Sequence, residues 1–309
     1  MLDRIIKQAS DATVAAIQGS EDVLIALRTS VRKLLVAVAE DTGDVSTAAV
    51  AATEDVTRGA VRAASRTSTD TGGGAAEITG GAVRGVEEAG GNAVDGARNA
   101  VTGAIEGASD TSSDTAGVAV AAVGGAISAS KDLSADTIEI AKGAVASAIA
   151  GVEAAGAASA ETIGDVAGNA IGATIDAGVD ATTATREVVA ATIQSASAAG
   201  IDLTSSIQAV VSRSVQSVAE TGGEVGEATA AATSTAIKTA GELGADTADA
   251  TRSAVAGAVA SGELIGDGAV DTVRKALGKT AAISKDAVSS VLARGQAAEI
   301  PSPDGDSVD

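Results

Sequence analysis

Two pairs of neighbouring carboxylates, Glu54-Asp55 and Glu87-Glu88, are the first residues in this chain whose type suits acid/base work. Further on, Leu277-Gly278-Lys279-Thr280 has the ending of a phosphate-binding loop, and Asp304, Asp306 and Asp309 offer oxygens to a divalent cation. Each fails on spacing. Adjacent residues on a helix point about 100° apart, so neither carboxylate pair can face a shared substrate atom. The phosphate loop needs a glycine five residues before its second one, and Val273 stands there. Three aspartates in a Pro- and Gly-containing tail have no framework to fix them around an ion. The chain contains no His and no Cys. That removes the usual base near neutral pH, the thiolate nucleophile and the commonest transition-metal ligands. No catalytic, cofactor-binding or metal-ligating residue is assigned, and the chain is not expected to be an enzyme.

Charge narrows the partners. The 309 residues carry 21 Lys plus Arg against 41 Asp plus Glu, a formal net charge of −20. Residues 1–39 are nearly balanced, so the deficit lies in the rest of the chain. A polyanion repels nucleic acid and anionic headgroups, whose binding needs clusters of Lys and Arg, and no nucleic-acid partner is expected. The first residues, MLDRIIKQASDATVAAIQ, are interrupted by charges and lack the apolar run of a secretory signal, which points to a cytoplasmic protein. The longest uncharged run, Thr115 to Ser130, is too short and too glycine-rich to span a bilayer, so no transmembrane span is expected.

No Phe, Trp or Tyr is present, so any core must be packed from methyl groups. What orders them is a repeat. From Ile138, steps of 11 lead to Ile149, Ala160, Ile171, Thr182 and Ile193, and parallel series start three residues later at Ala141 and seven later at Val145. Between Thr57 and Leu292 the three series occupy 65 positions without one charged residue, although 43 of the 236 residues there are charged. Eleven residues in three turns is ~3.67 per turn, close to the α-helical period, so the series form one straight stripe along a helix. Both prolines, Pro301 and Pro303, fall after the repeat.

Within the third series a glycine returns every 22 residues, at Gly156, Gly178, Gly200, Gly222, Gly244 and Gly266, with Gly90 in the same register. The residues halfway between are mostly bulkier, Val101, Val123, Val145, Val189 and Val211 among them. Small residues let backbones approach closely. These glycines are therefore expected to form a packing ladder, each facing a Val of a neighbouring helix shifted by 11 residues. Gly164, Gly168 and Gly172 form a second ladder, spaced by four, of the kind that marks close helix contact.

The expected fold is all-α: a long hendecad helix, or several, forming a coiled coil or helical hairpins. Three segments are expected. Residues 1–30 form an N-terminal helix or anchor arm, 31–295 the hendecad region, and 296–309 a disordered acidic tail. Leu24, Leu27, Val31, Leu34 and Leu35 make the densest apolar face in the chain and are the candidate anchor. Rich in glycine, the repeat should not hold a helix alone in water, so its stripe needs a partner.

Residues 57–292, in segments such as Thr102-GAIEGASDTSSDTAGVAVAAVGGA and Ser234-TAIKTAGELGADTADATRSAVAGAVA, resemble the 11- and 22-residue amphipathic repeat families. These are the perilipin-like lipid-droplet coats, the late embryogenesis abundant group 3 proteins and the apolipoproteins. The resemblance implies a non-catalytic structural or surface-coating protein without cofactors. Such a protein would act by self-association or by coating a neutral lipid or polyester granule, with stress protection on drying as the alternative.

Overall fold

The computed structural model describes residues 28–37, 45–66, 71–133, 135–266 and 268–280. Residues 28–37 are helical. They are followed by α1 (Val45–Arg66), α2 (Thr71–Glu88), α3 (Ala93–Asp110), α4 (Thr115–Ala129), α5 (Thr137–Ala154), α6 (Ala160–Asp176), α7 (Ala181–Ala198), α8 (Leu203–Glu220), α9 (Val225–Glu242), α10 (Thr247–Ile265) and α11 (Ala269–Lys279), with one 3-10 turn at Ser130–Asp132. No strand occurs among the described residues, so the all-α expectation holds.

The repeat unit is one helix and one tight turn. At most of the described turns a glycine adopts the left-handed region: φ is +74° at Gly90, +68° at Gly156, +96° at Gly178, +71° at Gly200, +78° at Gly222 and +80° at Gly244, while Ser112 takes that place after α3 at +54°. There the helix closes in a Schellman motif. After α6, for example, the Gly178 N–H donates to the Ile175 carbonyl at 2.8 Å and the Val179 N–H to the Thr174 carbonyl at 3.2 Å, which satisfies carbonyls the helix end would leave bare. Two residues past Gly178, Gly200 and Gly244 an aspartate starts the next helix, whereas Asn92 starts it after Gly90 and Ser159 after Gly156. Asp180 accepts the Thr183 N–H at 2.9 Å, and Asp246 the Ala248 N–H at 2.7 Å.

This corrects the expected packing ladder. Gly90, Gly156, Gly178, Gly200, Gly222, Gly244 and Gly266 face open space, and a Cβ built on any of them would meet nothing within 4 Å. They recur every 22 residues because that is the length of a helix plus its turn. The helix does not run on as a rod; it folds back at each of them, and the hairpin form of the expectation is the one observed. The Gly80-Gly81 and Gly124-Gly125 pairs lie inside helices and make no bend.

Each helix packs on the next, reached through a short turn, and on the next but one; contacts to the latter keep a constant offset, as from Gly164, Gly168 and Gly172 to Ala209, Arg213 and Ser217, so alternate helices run parallel. Odd-numbered helices thus form one layer and even-numbered helices the other, stacked as in a solenoid, where each unit touches only its neighbours. One continuous core fills the space between the layers. It holds the stripe: Ile105, Ile127, Ile149, Ile171 and Ile193 are at most 1 % exposed, and Val101, Val123, Val145, Val189, Val211 and Val255 are fully buried. The partner that the stripe needed is the same chain.

Without aromatic side chains, the layers close by bringing backbones together. A Cβ on Gly103 would collide with the carbonyl of Glu54, on Gly125 with that of Ala76, and on Gly257 with that of Gln208, each across a pair of parallel helices. The four-spaced glycines behave as expected. A Cβ on Gly164 would lie 3.1 Å from Ala209, on Gly168 3.3 Å from Arg213 and on Gly172 3.0 Å from the Ser217 hydroxyl, all on α8. Ser217 Oγ also donates to the Gly168 carbonyl at 2.7 Å.

The boundary expected at residue 30 falls inside the helical segment 28–37. Val31 and Leu35 are buried in the common core and Leu34 packs against it, while Gly81 and Gly85 of α2 let Arg28 and Arg32 approach. These three apolar residues extend the stack and do not form a separate arm; Leu24 and Leu27 lie outside the described residues. The tail, 296–309, lies outside them as well.

Candidate interaction surface

Asp304, Asp306 and Asp309 lie outside the described residues, and the other residues singled out for chemistry are not gathered into one site. Glu54 is half-buried in α1 while Asp55 is exposed. Burial pushes the Glu54 carboxyl above the usual range, with the charges of Glu106 and Asp55 acting the same way and Arg58 opposing. Burial is the largest cause, so the shift is that of a carboxylate held near a helix contact, where the Glu54 backbone meets Gly103. Glu88 pairs with Arg32 at 2.6 Å, which ties the segment 28–37 to α2. Val273 and Leu277 of the phosphate-loop look-alike are buried in the core, and Gly278 and Lys279 end α11. Among the described residues no cluster of three acidic side chains can hold a metal ion, and no helix is long and apolar enough to cross a membrane.

What the stack offers is surface. Along it, parallel neighbours are joined by ion pairs: Arg58 to Asp110 at 2.7 Å and Glu106 at 3.2 Å, Arg84 to Asp132 at 3.1 Å, Arg213 to Asp165 at 2.6 Å and Lys142 to Glu187 at 3.9 Å. The hydrogen bond from Arg58 holds the Asp110 carboxyl below its ordinary value. Partly exposed pairs like these set register more than they add stability.

Grooves cross the layers. In the even layer, α4, α6 and α8 enclose about 430 Å³ above Gly124, Gly168 and Gly172, where the small residues leave a furrow. In the odd layer, α7, α9 and α11 enclose about 880 Å³. Its lining combines Ala230, Ala231 and Ala276, the last two nearly buried, with the side chains of Arg186, Lys275 and Lys279 and of Glu224 and Glu227.

The turn acids were missed in the sequence reading, although their signal is plain: Gly178-Val-Asp180, Gly200-Ile-Asp202, Gly244-Ala-Asp246 and, with Asn or Glu for Asp, Gly90-Gly-Asn92 and Gly222-Gly-Glu224. A glycine followed two residues on by a capping side chain is a helix end meeting a helix start. The groove cations carry no comparable signal, because they come together only when α7, α9 and α11 are side by side. No family model matches the chain, and no curated protein matches it; what the protein does must be read from this surface.

Proposed function

We propose that this protein is a non-catalytic helical-repeat scaffold, working through the faces and grooves that its stack leaves outside. The observation that supports it best is the single core running from Val31 to Leu277, which buries the apolar stripe among the chain's own helices. A stripe already covered is not available to meet oil or a second stripe unless the stack opens. Stacked helices with short turns present long, regular surfaces, which suit binding more than chemistry, and the lack of His and Cys fits the same reading.

Circular dichroism and sedimentation in dilute buffer test this. The expected result is a folded helical protein with a cooperative melt and no added lipid. A chain that is disordered in buffer and gains helix only on a neutral-lipid emulsion would support granule coating in place of the scaffold. Helix only on drying would support stress protection.

A further inference from the structure

Most cations of the described residues are tied into ion pairs; Lys33, Arg66, Lys131, Arg186, Lys275 and Lys279 are not. The last three line one groove, the 880 Å³ furrow of the odd layer. α9 runs along its middle with Ala230 and Ala231, Arg186 stands on the α7 bank, and Lys275 and Lys279 stand on the α11 bank. On a chain of net charge −20, Arg186, Lys275 and Lys279 outnumber the Glu224 and Glu227 of the same lining, so the furrow is slightly positive, with cations on both banks and acids at one end.

We propose that this groove binds an acidic amphipathic helix of a partner protein, its small apolar face over Ala230, Ala231 and Ala276 and its flanking carboxylates on Arg186 and on Lys275 and Lys279. This rests on the scaffold reading and names the partner's chemistry. Packed helix axes lie about 8–10 Å apart, so the two banks, separated by α9, are about 16–20 Å apart. One carboxylate, as on a fatty acid, reaches one bank only. A helix about 10–12 Å across seated over α9, with acids on both flanks, is met from both banks by the long Arg and Lys side chains. Glu224 and Glu227, at the first turn of α9, also line the groove. They repel carboxylates there and favour the positive N-terminal end of the bound helix, which gives the site a direction.

The test uses the full chain and a fluorescein-labelled peptide of about 16 residues with Ala and Leu on one face and Glu on both flanks, followed by anisotropy. It is run at ~150 mM NaCl, where repulsion from the rest of the chain is screened beyond about 8 Å. Saturable binding is expected, weakened at least ten-fold by Lys275→Glu with Lys279→Glu and, separately, by Arg186→Glu, in variants whose helicity is unchanged. Equal binding of a peptide with Lys in place of Glu, unchanged binding by the charge-reversed variants, or no saturation by ~1 mM overturns the proposal. So does a fall in the mass of the chain alone when Lys275 and Lys279 are reversed, since a second copy would then be the occupant. A folded chain that fails to bind leaves the scaffold reading standing; a chain unfolded in buffer removes both.

Discussion

Thr57, Thr79 and Thr233 occupy one position of the 22-residue unit, the one held by Val101, Val123, Val145 and Val189 in other helices. All three are fully buried, and their hydroxyls find no hydrogen-bond partner. A buried hydroxyl without a partner costs about 1–3 kcal/mol, whereas a methyl of the same shape costs nothing there. Replacing Thr79 or Thr233 with Val should therefore stabilise the protein by about 1 kcal/mol or more, read as a higher urea midpoint with an unchanged slope. The turn glycines make the opposite case. Gly178→Ala and Gly200→Ala should cost roughly 1 kcal/mol each, because a side chain at positive φ is strained although space is open around it. Gly125→Ala should cost about 1–3 kcal/mol by a different route, since its Cβ would strike the Ala76 carbonyl. Asn distinguishes the two causes: it tolerates the left-handed region, so it should recover part of the loss at Gly178 and none at Gly125.

At the level of the helix, the N-caps tie stability to pH. Asp180 is held below its ordinary pKa by the Thr183 N–H and hydroxyl, Asp202 by the Ser205 hydroxyl and N–H, and Asp246 by the N–H groups of Asp249 and Ala248. With the folded pKa lowered, the unfolded chain binds more protons in the interval between the two values. The capping contribution is therefore complete above the unfolded Asp value, near ~3.9, and is lost as pH falls through the folded values. Glu54, raised by burial, works in the other direction over the carboxylate range. Urea melts of the chain and of an Asp180→Asn, Asp202→Asn, Asp246→Asn variant at pH 7 and pH 3 check the sign. Asn still caps but does not titrate, so the variant should lose less stability on acidification. Ser159→Ala removes a hydroxyl cap, which accepts the Thr162 N–H at 3.0 Å, and should cost about 0.5–2 kcal/mol at either pH.

For the whole molecule, charge and stacking set the behaviour. The stack carries more Asp and Glu than Lys and Arg and so repels itself, while its ion pairs are partly exposed and contribute little. Raising NaCl from ~10 to ~150 mM shortens the screening length from about 30 to about 8 Å and should raise the thermal midpoint. A midpoint that falls with salt would mean that the ion pairs outweigh the repulsion. The all-helical class and the identity of the core were legible in the linear chain because helical period is a local property: the uncharged series through Ile105, Ile149 and Val145 marks the buried face whatever covers it. Gly164, Gly168 and Gly172 were legible for the same reason, as a small-residue row within one helix. The 22-residue glycine was ambiguous when taken alone, since glycine suits both close packing and positive φ, and only its pairing with Asp180, Asp202 or Asp246 distinguishes a turn from a contact. Tertiary structure alone decided that the stripe is covered by the chain's own neighbouring helices, and that Arg186, Lys275 and Lys279 share a groove. Residues so far apart in sequence are brought together by the stacking of alternate helices, and no local pattern encodes which face of a helix its second neighbour will meet.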